Sequence, residues 1–89
     1  MDIEMLFFGR LRELTGTSQE IIPVEKVTRL SDLIELLGKR YGTNFSTEVY
    51  LNQALRILIN GREYGLLGGM ETPLSDKDTV VFLPLIGGG

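Results

Sequence analysis

Few residues of this 89-residue chain can do chemistry, because it contains neither cysteine nor histidine. Their absence removes the thiol nucleophile, the thiolate and imidazole metal ligands, and the usual general base near neutral pH. Carboxylates, hydroxyls and the chain ends remain. One end is distinctive, since the sequence closes on Gly87-Gly88-Gly89. Glycines hold no fixed backbone cheaply, so such a run is expected to be mobile, and without Cβ atoms it is thin enough to thread a narrow tunnel. At roughly 3.3 to 3.6 Å per extended residue, the stretch from Pro84 to Gly89 would reach about 20 Å beyond the last strand. The chemistry this suggests is a carboxylate presented on a tether to another protein's active site. From the glycines alone, a frayed terminus is an equal alternative.

Composition narrows the rest. A 43% hydrophobic and 24% charged chain of this length is one small globular domain. It buries only roughly 60 to 65% of its unfolded surface, leaving little interior for a deep catalytic cavity. Nine Lys plus Arg against twelve Asp plus Glu give a net charge of −3, so there is no basic field for nucleic acid. No apolar run approaches the roughly 18 residues of a membrane span, and the start Met-Asp-Ile-Glu is acidic, unlike a signal peptide. A cytoplasmic protein is expected, and no metal site.

The elements that must position the tail follow from periodicity. Ile3 to Gly9 reads as a first strand, with Arg10 to Leu14 a polar turn closed by Thr15-Gly16-Thr17. Gln19 to Val24 is a second strand, at a sheet margin because of Pro23. Thr28 is placed to cap a helix from Arg29 to Tyr41, whose apolar positions Leu30, Leu33, Ile34, Leu36, Leu37 and Tyr41 recur at three- and four-residue spacing, with Gly42 as a left-handed stop. Thr43 to Gln53 lacks a clean period, with a helical turn near Thr47 to Asn52. Leu55 to Ile59 is a third strand, Asn60-Gly61 a two-residue turn, and Arg62 to Tyr64 a brief return strand. Gly65 to Met70 is a glycine-rich loop without an assigned role. Ser75-Asp76-Lys77-Asp78 is an acidic turn, and Thr79 to Leu83 the last strand. This order predicts an α+β β-grasp: a mixed sheet of four to five strands on one main helix, with the first and last strands parallel at its centre. Residues 1–83 form the domain and 84–89 the tail.

Alternation then sorts the sheet faces. With Ile3, Met5 and Phe7 turned to the helix, Asp2, Glu4, Leu6 and Phe8 face away. The same reasoning turns Leu58, Val81 and Leu83 outward. These residues would converge on one open face, and a contiguous apolar group on neighbouring strands favours a protein contact surface over a neutral sheet face. Glu13, Glu63, Asp76 and Asp78 read as solvated or turn-forming.

Leu6-Phe7-Phe8-Gly9-Arg10-Leu11-Arg12-Glu13-Leu14, Ile59-Asn60-Gly61-Arg62-Glu63, and Thr72 to Asp78 followed by Val80 to Gly89 together resemble the ubiquitin-like sulfur carriers, most closely the small subunits of molybdopterin synthase. The resemblance spans the whole chain in order. It implies that a ubiquitin-activating-type enzyme uses ATP to adenylate Gly89, that the carboxylate becomes a thiocarboxylate, and that the tail, through Gly87 and Gly88, threads into the molybdopterin synthase large subunit. The chain would bind no cofactor itself and would form a hetero-oligomer as a non-catalytic, sulfur-donating subunit. Phe8, Leu83 and Arg12 match its partner-contact positions and join Leu6, Leu58 and Val81 from the alternation as expected partner contacts, although Arg12 is equally readable as a solvated turn residue. Lys77 stands where the family often has glycine, which implies left-handed backbone at a residue bearing a Cβ. A diglycine end equally suits a carrier for thiamine or transfer-RNA thiolation, or a modifier joined to lysines. A plain interaction module with an inert tail is the remaining alternative.

Overall fold

A computed structural model describes residues 1–25 and 28–84. Its main sheet forms where the β-branched and aromatic runs were expected, as β1 (Asp2–Phe7), β2 (Gln19–Pro23), β4 (Leu55–Ile59), β5 (Arg62–Glu63) and β7 (Thr79–Pro84), in the spatial order β2-β1-β7-β4-β5. The strands β1 and β7 are parallel and central, and β4 lies antiparallel on the far side of β7. A parallel pair needs a long crossover, and everything between β1 and β7 supplies it. The inward residues Ile3, Met5, Phe7, Ile57, Val80 and Phe82 are all buried. Burying this face is the main driving force for the fold.

Helix α2 (Leu30–Tyr41) covers that face with Leu30, Leu33, Ile34 and Leu37, whereas Leu36, expected with them, falls on the solvent side of the helix and is exposed. Its cap differs from expectation. Thr28 belongs to a short strand β3 (Thr28–Arg29), and Arg29 is the residue before the helix, its N–H donating to Asp32 Oδ2 at 3.0 Å. The strand β3 pairs with β6 (Pro73–Leu74), a two-residue ribbon that takes Thr28 and Arg29 out of the helix start expected there. The Leu30 N–H donates to the Thr72 carbonyl at 2.9 Å, so the ribbon fixes the entry of α2. At the other end Gly42 has a positive φ of 103° but an extended ψ of 169°. It is therefore a sharp junction into the next helix rather than a left-handed stop.

Two further helices correct the sequence reading. Residues Gly9–Thr15 form α1 where a polar turn was expected, because Leu11 is buried in the core and pins that face inward. Thr43–Leu51 form α3, a full helix where a shorter turn was expected, with Phe45 and Val49 buried one turn apart. The loop after β5 is two 3₁₀ turns, Tyr64–Leu66 and Gly69–Glu71, and the return strand is two residues long. Asn60 and Gly61 both take positive φ, 52° and 84°, as a primed hairpin turn requires. Asn60 Nδ2 donates to Asp78 Oδ1 at 2.8 Å, and the Thr79 N–H donates to Asn60 Oδ1 at 2.9 Å, which ties the hairpin to the start of β7. Lys77 does adopt left-handed backbone, with φ 69°, and its N–H donates to the Asp2 carbonyl at 2.7 Å.

Edge strand β2 is clasped to the end of α2. Glu20, with a largely buried side chain, accepts from the Tyr41 hydroxyl and pairs with Arg40 Nη2 at 2.6 Å. Burial, and then the hydrogen bond to Glu20, push the Tyr41 phenol above its ordinary value of 10.0. Stability from that retained proton is whole below pH 10.0 and is lost as pH rises through the higher folded value. Denaturant midpoints at roughly pH 8 and roughly pH 11 are expected to differ less for Tyr41→Phe than for the parent chain.

Candidate functional site

The open face of the sheet is built by register. On the side opposite the helices, Leu6 of β1 lies beside Val81 of β7, Val81 beside Leu58 of β4, and Leu58 beside Glu63 of β5. The three apolar residues are half-buried by one another. One step toward the carboxyl end of β7, Leu83 lies opposite Arg56 and is 37% exposed. Phe8, just past β1, is 42% exposed, and its N–H donates to the Phe82 carbonyl at 3.3 Å. The structure thus brings five of the sequence-selected residues, Leu6, Phe8, Leu58, Val81 and Leu83, onto one face of three adjacent strands.

The rim of this apolar row is polar. Arg56 Nη1 lies 3.4 Å from Glu63 Oε2 on one side. On the other, Glu4 accepts from Thr79 Oγ1 at 3.1 Å and from the Gln19 amide. An apolar centre with a polar rim is the ordinary anatomy of a protein contact surface. The pairing of Arg56 with Glu63, and of Gln19 with Glu4, is not legible in the sequence, because cross-strand register alone sets those neighbours.

Phe8 carries a further physical signal. It occupies the position before the first residue of α1 and makes no side-chain cap hydrogen bond. Ser, Thr, Asp or Asn there stabilise a helix by about 0.5–2 kcal/mol relative to a non-capping residue. A large, exposed aromatic ring at a capping position forgoes local stability, which fits a role in contact rather than in folding.

Arg12 lies in the last turn of α1, exposed, and lines a shallow depression with Gly9, Glu13 and Gly16. Arg10 pairs with Glu13 at 3.5 Å, whereas Arg12 has no ion pair among the described residues. Its guanidinium is available to a partner. Gly87, Gly88 and Gly89 lie outside the described residues. The described part of the exit is Pro84, the last residue of β7, which is opposite Leu55 of β4 and in contact range of Gly9.

Among the described residues there is no cluster of acidic side chains able to hold a metal, and no helix is long and apolar enough to cross a membrane. The surface depressions are open and shallow, and no buried side-chain nitrogen or oxygen among the described residues lacks a hydrogen-bond partner. What the surface offers is a partly exposed apolar row, rimmed by polar residues, centred on the last strand.

Helices on one face of a mixed sheet with a parallel central pair define the ubiquitin-like β-grasp class. The chain belongs to the ThiS family, whose model matches residues 5–89, and is thus a member of the ubiquitin-like sulfur-carrier and modifier proteins. It is 29% identical to small archaeal modifier protein 3 of Haloferax volcanii, over the whole of both chains. Among solved structures it is similar to that of the Haloferax volcanii HVO 2177 protein, with a TM-score of 0.82 and 29% identity, covering 100% of this chain and 87% of that one. It is also similar to a Pyrococcus furiosus protein provisionally designated molybdopterin converting factor, subunit 1, with a TM-score of 0.77 and 26% identity, covering 97% of this chain and 99% of that one.

Proposed function

We propose that this protein is a sulfur carrier that serves as the small subunit of molybdopterin synthase, with Gly89 as the acyl group that is activated and thiolated. The observation that carries the reading is the apolar row Leu6-Val81-Leu58, extended by Phe8 and Leu83, which is centred on β7, the strand that precedes the glycine-rich end of the sequence. A partner seated on that face receives the tail at the same time. The likeness to the Pyrococcus furiosus protein supports the molybdopterin assignment.

The chemistry divides between chains. A carboxylate is a poor acyl electrophile, so it first attacks the α-phosphorus of ATP: a C–O–P bond forms and pyrophosphate leaves. Hydrosulfide then attacks the acyl carbon, the C–O bond to AMP breaks, and a thiocarboxylate remains. Without Cys or His, this chain holds no group suited to drive either step. An adenylating enzyme of the ubiquitin-activating type would provide the ATP site, and the synthase large subunit would accept the sulfur to form the dithiolene. Arg12, Phe8 and Leu83 would dock the carrier, and Gly87 and Gly88 would thread the tail. Both steps belong in the cytoplasm, where ATP is made and used.

A second reading is favoured by the likeness to small archaeal modifier protein 3: conjugation of Gly89 to lysines of other proteins. The same acyl-adenylate serves both, with an amine in place of hydrosulfide.

Intact mass separates these readings. Incubated with ATP, sulfide and the adenylating enzyme, the full chain is expected to gain about 16 Da, as sulfur replaces oxygen, and a chain lacking Gly89 is expected to gain nothing. No gain with an enzyme that thiolates a control carrier rejects the sulfur-carrier reading, and lysine-linked adducts of higher mass in cells would then assign the modifier role.

A further inference from the structure

We propose that Gly9 is a positioning residue for the carboxyl-terminal tail: by carrying no side chain, it lets the Pro84 ring seat against the junction of β1 and α1 and so sets where the tail leaves the sheet. The inference deepens the acyl-carrier reading and rests on it.

Three observations on different parts of the chain converge. A Cβ placed on Gly9 would lie 2.7 Å from Pro84 Cγ, closer than real Cβ atoms approach, and 3.6 Å from Pro84 Cβ and Cδ. Gly9 also has a φ of 56°, a left-handed conformation that turns the chain from β1 into α1 and that side chains disfavour. The Phe8 N–H donates to the Phe82 carbonyl at 3.3 Å, so the junction is laced to β7 two residues before the proline.

Pro84 is therefore held from both sides, by Leu55 of β4 as its register partner and by Gly9 across β7. Its own ring fixes φ near −65° and removes an N–H. The result is a stiff, seated residue immediately before the five residues that end the chain, Leu85 to Gly89. A short tether delivers its end accurately only if its first residue is anchored, and a misplacement of about 1 Å at a reacting centre can cost about 100-fold in rate. Sequence alone does not reveal this contact, because the two residues are 75 positions apart.

The test compares Gly9→Ala, Pro84→Ala and the double variant for partner affinity and for the rate at which the adenylating enzyme activates the chain. Gly9→Ala is expected to lower kcat about tenfold or more with Kd unchanged within about threefold, since the apolar row is untouched. In the double variant the close approach to the ring is gone, the Cβ of residue 84 standing at an ordinary 3.6 Å from the new Cβ, and only the strain of the positive φ remains. Its kcat is expected to return to within about threefold of Pro84→Ala alone. A nuclear Overhauser contact between the Gly9 α-protons and the Pro84 ring is expected in the parent chain whatever its activity. Absence of that contact, an unchanged kcat in Gly9→Ala, a loss confined to Kd, or a double variant more than about tenfold slower than Pro84→Ala would each overturn the proposal. A parent chain that an otherwise active enzyme fails to adenylate would instead overturn the carrier reading, and this inference with it.

Discussion

Truncating Phe7 to alanine is expected to cost about 3–5 kcal/mol, the range for emptying a well-packed aromatic site. Phe7 is fully buried and meets three other rings. It stacks on Phe82 at 5.6 Å between centroids, and it meets Phe45 at 5.9 Å and Tyr41 at 6.2 Å edge-on. Those rings come from β7, α3 and the end of α2, so one side chain joins the central strand pair to two helices. A domain of this size has on the order of 4–13 kcal/mol of stability in total, and the variant should retain little of it. Urea denaturation measures the loss directly. A loss below about 1 kcal/mol would show that the aromatic cluster is not the hub of the core.

Phe8→Asp, one residue away, is expected to do the opposite to stability and more to function. An aspartate before α1 supplies the side-chain cap that Phe8 lacks, worth about 0.5–2 kcal/mol, against the loss of a ring that is already 42% exposed. The melting temperature should hold or rise. Docking should suffer, because a carboxylate would sit at the edge of the row Leu6-Val81-Leu58 and would be stripped of water beneath a partner. An affinity loss of about 100-fold is expected for either proposed partner, in the range of an interface hot spot. Titration calorimetry and thermal unfolding on the same sample check both halves. Affinity retained within about threefold would remove Phe8 from the contact surface, and a fall in melting temperature of many degrees would make its role structural.

These two residues also show how much was legible before the fold was known. The alternation of Ile3, Met5 and Phe7 against Leu6 and Phe8 separates an inner from an outer face with no tertiary information, because side chains in a strand have a period of two. The same rule applied to Ile57 and Leu58, and to Phe82 and Leu83, assembled the apolar row. The parallel central pair followed from the long connection between the first and last strands. The left-handed backbone of Lys77 was anticipated from the family's glycine at that place. The absence of Cys and His, and the final glycines, suggested a carboxylate on a tether, and the resemblance to the sulfur carriers turned that into a carrier dependent on other proteins.

What local pattern could not supply were features held by distant partners. Helix α1 has only seven residues, starts at a left-handed glycine and has no side-chain cap. Its local start signals are therefore missing, and it exists because Leu11 finds the core. Helix α3 is rich in Thr, Val, Asn and Tyr, which have middling helix propensity, and it is organised by the burial of Phe45 and Val49. The ribbon of Thr28–Arg29 with Pro73–Leu74 joins segments more than forty residues apart.

By itself, then, the sequence determined which sheet residues face the helices and which face away, where the sheet is parallel, and that no thiol or imidazole is at hand for chemistry. The tertiary structure alone decided that α1 would fold at all, and that Gly9 would meet Pro84 where the tail begins. The physical reason is range. Face and period are written in neighbouring residues by strand geometry, whereas a short helix or a close backbone approach is stable only once the whole chain has closed around it.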